Sequence, residues 1–420
     1  MRLCVGLSGG LDSTVLLHLL HRLQPEWGFV LSAVHVHHGL SPQADAWVGF
    51  CQELCTRLGV PLKVERVRVV GAGVGLEAAA RQARYRVYAG LDADYVVLAH
   101  QQDDQAETVL LNLLRGSGVD GLAAMPVERA IEGGRVRLLR PLLAVSRREI
   151  QAYARAQGLA WVEDESNLDT RHARNHLRHR VLPEIERRFP AYRQSLTRAA
   201  RHYAECAELL AELAASDAAE AVTGQGLSLA RLTALTRPRA KNLLRGYLAR
   251  EGLGRWPERR IEALLDQLMH ADRDNRIEFR LDGDTLRVWR GWLQRVPGRS
   301  GVSEAMVSWR GEARLPFAGG WITFTPAHGE GLSLARLREA PVTVRLRRGG
   351  EHLRPDCRRP RRSLKHLFQE RAIPPWERER LPLLYAGDAL AWVAGLGVDC
   401  AFQAQSDEAG LVIAWQPGAR

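Results

Sequence analysis

The chain is poor in lysine: Lys63, Lys241 and Lys365 are the only three among 420 residues, leaving 56 arginines to carry the rest of the positive charge. It also lacks the run of about 18 apolar residues that a spanning helix needs. The stretch Trp27–Ala44 has no Asp, Glu, Lys or Arg, but it holds three histidines together with Ser, Pro and Gln. No membrane role is expected. Met1–Leu7 is too short for a charged-then-apolar signal segment and runs straight into Ser8-Gly9-Gly10. The six cysteines (Cys4, Cys51, Cys55, Cys206, Cys357, Cys400) form no CxxC pair, so free thiols in a reducing cytoplasm are expected. There is no GxxxxGK[ST] motif, which argues against a P-loop kinase or GTPase.

What is present is ordinary for a globular chain, with 46% hydrophobic and 25% charged residues. That composition excludes intrinsic disorder. At about 150 residues per domain, two or three domains fit. The net charge of +11 points to a polyanionic partner.

The first 140 residues alternate strand-like runs (Leu3–Leu7, Phe29–His35, Leu62–Val70, Tyr95–Ala99, Val136–Leu139) with helical patterns (Asp12–Leu23, Ala44–Leu58, Leu76–Ala89, Asp103–Leu114). This alternation predicts βαβ units and an α/β doubly wound parallel sheet covered on both faces. Ligands of such sheets sit beyond the carboxyl ends of the strands. From Ser146 the pattern turns helical, broken by an acidic loop at Glu163–Thr170, and continues through Tyr192–Val222, Leu229–Arg250 and Glu258–His270. Strands return at Arg276–Leu281 and Thr285–Trp289. Gly298–Gly301 and Gly319-Gly320 read as linker or turn, and a small α+β unit follows from about Pro341. The expected domains are 1–190, 191–297 and 340–420.

Ser8-Gly9-Gly10-Leu11-Asp12-Ser13 lies between a strand and a helix. Paired glycines allow a tight turn and close approach to a ligand. The N–H groups exposed at the following helix start suit an anion. A plain Gly-rich turn with Asp12 or Ser13 as a cap is the bland alternative. At the end of the fourth predicted strand, Ala99–Thr108 reads AHQQDDQAET. Asp103, Asp104 and Glu107 crowd one helix face, which costs stability unless a cation sits among them. A capping box built on Asp104 and Glu107 would explain two of the three. Their place at the ligand-binding edge favours a site for an ammonium group or Mg²⁺. The histidines of Val34–Leu40 (VHVHHGL) read as pocket lining rather than zinc ligands, because no partner with metal-ligand spacing is nearby.

Arg171, Arg174 and Arg178 would share a helix face at i, i+3 and i+7, a geometry suited to phosphate oxygens or, more simply, to solvent. Further on, Arg345–Arg380 holds twelve Lys/Arg against five Asp/Glu. Its centre contains Arg358, Arg359, Arg361, Arg362 and Lys365. With Phe368 and Trp376 nearby, charge plus stacking is consistent with RNA binding.

Taken together, these stretches resemble the tRNA(Ile)-lysidine synthase family of the PP-loop (N-type ATP pyrophosphatase, Rossmann-like) superfamily. The matching elements are SGGLDST (Ser8–Thr14), HVHHGLS (His35–Ser41), LEAAARQARY (Leu76–Tyr85) and AHQQDDQAET (Ala99–Thr108). RPLL (Arg140–Leu143), DESNLDTRHARNHLRHRVLP (Asp164–Pro183) and the tail's SLKHLF (Ser363–Phe368) continue the series. The resemblance implies a ligase that adenylates C2 of the wobble cytidine of a CAU-anticodon isoleucine tRNA with ATP. Free L-lysine then displaces AMP to give lysidine, switching decoding from AUG to AUA.

On that resemblance Ser8–Ser13 would cradle the ATP phosphates, and Asp12 would help to hold Mg²⁺. Deprotonating the lysine amine at pH 7 costs ~4.6 kcal/mol. Asp103, Asp104 and Glu107 would bind the ammonium and accept its proton, with Arg81 or Arg84 countering charge. Arg171, Arg174, Arg178 and the tail's basic residues would grip tRNA. A cytoplasmic enzyme is implied, and the resemblance admits a homodimer.

The rival readings are a PP-loop tRNA thiolation enzyme, a PP-loop amidotransferase and a non-catalytic tRNA-binding protein. Thiolation normally needs catalytic cysteines, and Cys51 and Cys55 look like packing residues away from the strand ends. No nucleophile-elbow pattern supports an amidotransferase. A mere binder predicts decay of SGGLDST, which is intact.

Overall fold

The computed structural model describes residues 1–69, 75–131, 133–165, 169–254, 256–270, 277–281, 283–298 and 306–417. Ser166–Leu168 of the acidic loop and Arg299–Gly301 of the expected linker lie outside these. The chain divides into two compact units, Met1–Glu212 and Leu213–Arg420. Among the described residues no helix is long and apolar enough to cross a membrane.

In the first unit six strands form one sheet: β1 (Arg2–Gly6), β2 (Val30–His37), β3 (Leu62–Arg66), β4 (Tyr95–Val97), β5 (Glu128–Ala130) and β6 (Arg137–Leu139). Their order is β3-β2-β1-β4-β6-β5. All neighbours are parallel except β5, an antiparallel edge strand that the sequence pattern did not suggest. Side chains alternate across this sheet. Leu3, Val5 and Leu7 pack on one face with Leu31, Ala33 and Val97, while Cys4, Val34, Val96 and Leu98 pack on the other. A sheet buried on both faces reads as continuous apolar runs, and each fully buried Leu or Val contributes roughly 1.5–3 kcal/mol. Cys51 and Cys55 belong to the first of these cores.

Helices α1 (Leu11–Trp27), α2 (Ala44–Leu58), α3 (Leu76–Ala89) and α4 (Gln102–Leu114) follow their strands at nearly the expected bounds. After the short α5 (Val119–Leu122) come α6 (Arg147–Ala156), α7 (Ala173–His176), a π-helical turn (Leu177–Val181), α8 (Leu182–Arg188) and α9 (Tyr192–Ala221). The strand order places the functional edge. The chain runs outward from β1 to β2 to β3, then returns to lay β4 against the other side of β1. A crevice opens where the winding reverses, beyond the carboxyl ends of β1 and β4.

The second unit begins with helices and adds sheet. The expected helix Leu229–Arg250 is two helices, Leu229–Thr233 and Arg237–Arg250. Pro238 sits in the first turn of the latter, where its missing N–H is tolerated. These and Glu258–Met269 bury Leu232, Leu243, Leu244, Leu264 and Leu265 against a five-stranded antiparallel sheet. The remainder folds as sheets of five, four and two strands among the described residues, with cores around Ile322, Val344, Leu384 and Ala391 and around Leu364 and Phe368. Phe368 is fully buried, so the sequence reading of it as a base-stacking platform is corrected.

Cys357 and Cys400 are joined as a disulfide, with Cα atoms 5.5 Å apart. The expectation of six free thiols is thereby corrected. Cys4, Cys51, Cys55 and Cys206 are free.

Candidate active site

The loop after β1 makes its turn at Gly9, whose φ of +86° is a left-handed conformation favouring glycine. A Cβ at Gly9 would meet Val162 Cγ2 at 3.0 Å and Cys51 Sγ at 3.2 Å. Both the dihedral and the packing therefore require a bare backbone. Val162 N donates to Gly9 O at 3.0 Å, pinning the loop. Ser8 N donates to Ser13 Oγ at 3.2 Å, Ser13 Oγ donates to Gly10 O at 3.0 Å, and Thr14 Oγ1 donates to Gly9 O at 3.3 Å. The Gly10 N-cap of α1 carries no side-chain cap, which leaves the helix start as an anion-binding position.

Across the crevice, α4 starts with a capping box, but not the one expected. Gln101 Oε1 accepts from Asp103 N at 2.7 Å, and Gln101 N donates to Asp104 Oδ2 at 3.1 Å. Asp104 is thus the acidic partner of Gln101, and Glu107 is released for another task.

Glu107 is 1% exposed and paired on both oxygens. Arg178 Nε donates to Oε1 at 2.6 Å, and Arg174 Nε donates to Oε2 at 2.7 Å. The same two guanidinium groups reach Asp104 Oδ1 at 3.1 and 3.3 Å. Arg193 Nε donates to Asp103 Oδ1 at 2.5 Å while its other nitrogens bind Glu186. Arg147 N donates to Asp103 Oδ2 at 3.0 Å, and Arg147 Nη1 reaches Asp12 Oδ2 at 3.4 Å. Four carboxylates, Asp12, Asp103, Asp104 and Glu107, are balanced by four arginines, 147, 174, 178 and 193.

Arg174 and Arg178 lie within and just after α7, where the π-helical turn carries both toward α4; such turns are frequent at functional sites. Arg171 precedes α7 and pairs with Asp169 at 2.7 Å, so it does not share their face. Arg81 donates to Tyr85 Oη at 3.0 Å and lies close enough to His100 to disfavour its charged form. The counter-charge expected from Arg81 or Arg84 is supplied by the arginines of α6 to α9. Arg193 and Arg147 escaped sequence reasoning because Arg193 is 90 positions from Asp103 and Arg147 is 135 from Asp12. The only local signal was the Ser146–Glu149 capping box that starts α6 beside them.

Asp12 differs from the other three carboxylates. Its Oδ1 is buried with no partner. Burial, partly offset by Arg147 and reinforced by Asp104 and Asp103, pushes its carboxyl up to about 6. An orphaned buried carboxylate oxygen beside a phosphate-type loop is a hard oxygen ligand of the kind Mg²⁺ takes alongside phosphate oxygens. Among the described residues no group of three or more His, Cys, Asp or Glu is arranged to hold a metal ion.

Burial and nearby arginines disfavour the charged forms of two histidines of this region. His100, pushed down to about 3 by burial and then by Arg140, accepts from Arg140 Nε at 3.2 Å. His38, held down at about 4 by burial and then by Arg84, has a buried unpartnered Nδ1. His35 hydrogen-bonds through Nδ1 with Leu7 O at 2.9 Å. In the second unit Arg358, Arg359, Arg361 and Lys365 are exposed, Arg359 within 3.4 Å of Asp356, and Arg362 is paired with Glu370 at 2.5 and 2.8 Å.

Family models match three segments: a PP-loop domain over residues 1–185, a TilS substrate binding domain over 227–294 and a TilS substrate C-terminal domain over 342–415. The chain is 48% identical to a tRNA(Ile)-lysidine synthase of Nitrosomonas europaea, covering 99% of this chain and 92% of that protein. It is 45% identical to one of an Azoarcus species, covering 99% and 92%, and 44% identical to one of Aromatoleum aromaticum, covering 99% and 97%.

Proposed function

The chain belongs to the tRNA(Ile)-lysidine synthase family, and we infer that it ligates lysine to C2 of the wobble cytidine of the CAU-anticodon isoleucine tRNA with ATP. The observation that carries this reading is the set of four carboxylates gathered beside the Gly9-Gly10 loop at the β1/β4 crevice. The cytidine O2 attacks the α-phosphate, releasing pyrophosphate. The lysine ε-amine then attacks C2, AMP leaves, and the amine's proton must be accepted nearby.

Each residue set has a task in that sequence. The Ser8–Ser13 loop, with the N–H groups of the α1 start, binds the phosphates as negative charge moves onto the leaving pyrophosphate. Asp12 would hold Mg²⁺, which neutralises phosphate charge when bound. Of the three carboxylates of α4, Asp103 and Asp104 keep some exposure and take the lysine ammonium and its proton in exchange for an arginine. Buried Glu107 anchors Arg174 and Arg178, and Arg81 adds positive charge near His100. Arg174 and Arg178 hold Asp104 and Glu107 in one orientation, so their task includes shaping this pocket as well as meeting a polyanion. Exposed Arg171, with Arg358, Arg359, Arg361, Arg362 and Lys365, supplies charge for the tRNA backbone. A tRNA substrate makes the cytoplasm the expected compartment for this reaction.

Thiolation is not favoured. Burial pushes the Cys51 thiol up to about 12 and the Cys55 thiol up to about 11, and both lie in the apolar core. Neither is available as a thiolate nucleophile.

The test is incorporation of labelled lysine into an isoleucine tRNA transcript with a CAU anticodon, in ATP and Mg²⁺, against a methionine tRNA control. ATP-dependent label in the isoleucine tRNA alone is the expected result. Tight tRNA binding with ATP turnover but no label would overturn lysine as the nucleophile.

A further inference from the structure

Four of the tail's arginines lie in a loop, 354–361, between the two short paired strands His352–Leu353 and Arg362–Ser363. Arg354, Arg358, Arg359 and Arg361 line an open pocket of about 740 Å³ together with Cys357 and Cys400. Arg354 holds the loop from within, donating to Arg359 O at 2.9 Å and to Cys357 O. Its own backbone is fixed from outside, with Arg354 N donating to Asp399 Oδ2 at 2.8 Å and Cys400 N donating to Arg354 O at 2.7 Å. The loop tip has one covalent tie to the rest of the unit, the Cys357–Cys400 bond, which joins residues 43 positions apart. Cys357 is exposed, and Cys400 is half-buried.

We propose that Cys357 and Cys400 form a thiol–disulfide exchange site, addressed by small anionic disulfides of the glutathione class, that sets the arrangement of the arginine loop and hence its grip on RNA phosphates. The Cα separation of 5.5 Å falls within the range a disulfide spans without backbone movement. An exposed sulfur rimmed by guanidinium groups draws an anionic disulfide to it. The Cys357 thiolate attacks one sulfur of the small disulfide, forming a mixed disulfide and expelling the first small thiolate. The Cys400 thiolate then attacks the Cys357 sulfur and expels the second. Two cysteine sulfurs are oxidised, one small disulfide is reduced to two thiols, and the two cysteine protons pass to the departing thiolates.

In the linked state Arg358, Arg359 and Arg361 stand in one arrangement. In the dithiol state the loop samples others, and the apparent tRNA affinity falls in proportion to the time spent away from the competent one. The site therefore couples the redox state of the small-thiol pool to tRNA binding. This inference rests on the tRNA reading above.

The experiment compares the full chain equilibrated with reduced or with oxidised glutathione. It measures affinity for the isoleucine tRNA transcript and maps disulfides by peptide mass. The oxidised form should carry a Cys357–Cys400 linked peptide and bind about threefold more tightly or better, the change expected if the unlinked loop is competent about one-third of the time. Cys357→Ser should hold the reduced affinity in both buffers, Cys400→Ser should trap the Cys357–glutathione mixed disulfide without any gain in affinity, and Cys206→Ser should keep the response. A linked peptide with unchanged affinity overturns the switch, even if the linked form melts at a higher temperature. Two free thiols after oxidised glutathione overturn it as well. Binding that is present and equal in both states leaves the tRNA reading intact, whereas no binding in either state overturns that reading and the switch together.

Discussion

Arg178 grips both oxygens of Glu107, donating from Nε to Oε1 at 2.6 Å and from Nη2 to Oε2 at 3.0 Å across 71 positions of sequence. Glu107 is too deeply buried to be left ionised without such a partner, since an unpaired charge in the interior costs several kcal/mol. The pair therefore has a mechanical meaning: it fixes α7 and the π-helical turn against α4.

Arg178→Ala should lower unfolding stability by about 3 kcal/mol, the lower end for breaking a buried pair, because Arg174 still reaches Oε2. Urea unfolding measures this. Adding Glu107→Gln to that variant should recover part of the loss. An additive further loss would show that the two side chains do not act as a pair.

Asp12 links stability to pH in an unusual direction. Its carboxyl is raised from 3.8 to about 6 in the folded protein, so between those values the folded state keeps a proton that the unfolded state has lost. Its contribution to stability falls as pH rises through that window, and above it the ionised group costs about 3 kcal/mol. With a chelator present, Asp12→Asn should be more stable than the parent at pH 8. The difference should vanish toward pH 4, and lysine incorporation should be lost. A less stable Asn variant at pH 8 would contradict the assignment.

Gly9→Ala forces a Cβ into a left-handed position, at about 1–2 kcal/mol, and against Val162 and Cys51. The loop that meets the phosphates must then shift. We expect kcat/KM for ATP, read as tRNA-dependent pyrophosphate release, to fall about tenfold or more. Unchanged kinetics would remove the loop from the phosphate site.

Salt titration separates the basic residues of the tail. Removing exposed Arg358 and Arg361 together should flatten the dependence of log affinity on log salt by about 1.8, roughly 0.9 for each phosphate contact. Arg362→Ala should change the slope less, because Glu370 already offsets its charge. Equal effects would mean that the Arg362–Glu370 pair opens on RNA.

Local pattern accounts for much of what was legible. The helices α2 and α3 match the sequence reading to the residue and α4 within one, because apolar periodicity and Gly punctuation are properties of adjacent positions. By contrast, α1 runs four residues beyond the expected Leu23, through Pro25, to Trp27. Ser8–Ser13 and Asp103–Glu107 were likewise visible as short motifs. The errors share one cause. Arg174 and Arg178 looked like a free basic face because their partners are about 70 positions away. Phe368 looked like an exposed aromatic because its burial depends on Leu353, Leu383 and Val393. Cys357 and Cys400 looked independent because only folding brings them together.

The sequence by itself determined the parts: the phosphate-type turn, the acidic helix start, the wound sheet and the family to which they point. These follow from backbone freedom at glycine and from side-chain periodicity, both set within a few residues. Only the tertiary structure decided which charge meets which. Laying β4 beside β1 brings Asp12 to Asp103 and lets arginines from α6 through α9 balance four carboxylates. Ion pairing depends on distance through space, and nothing in local spacing encodes that.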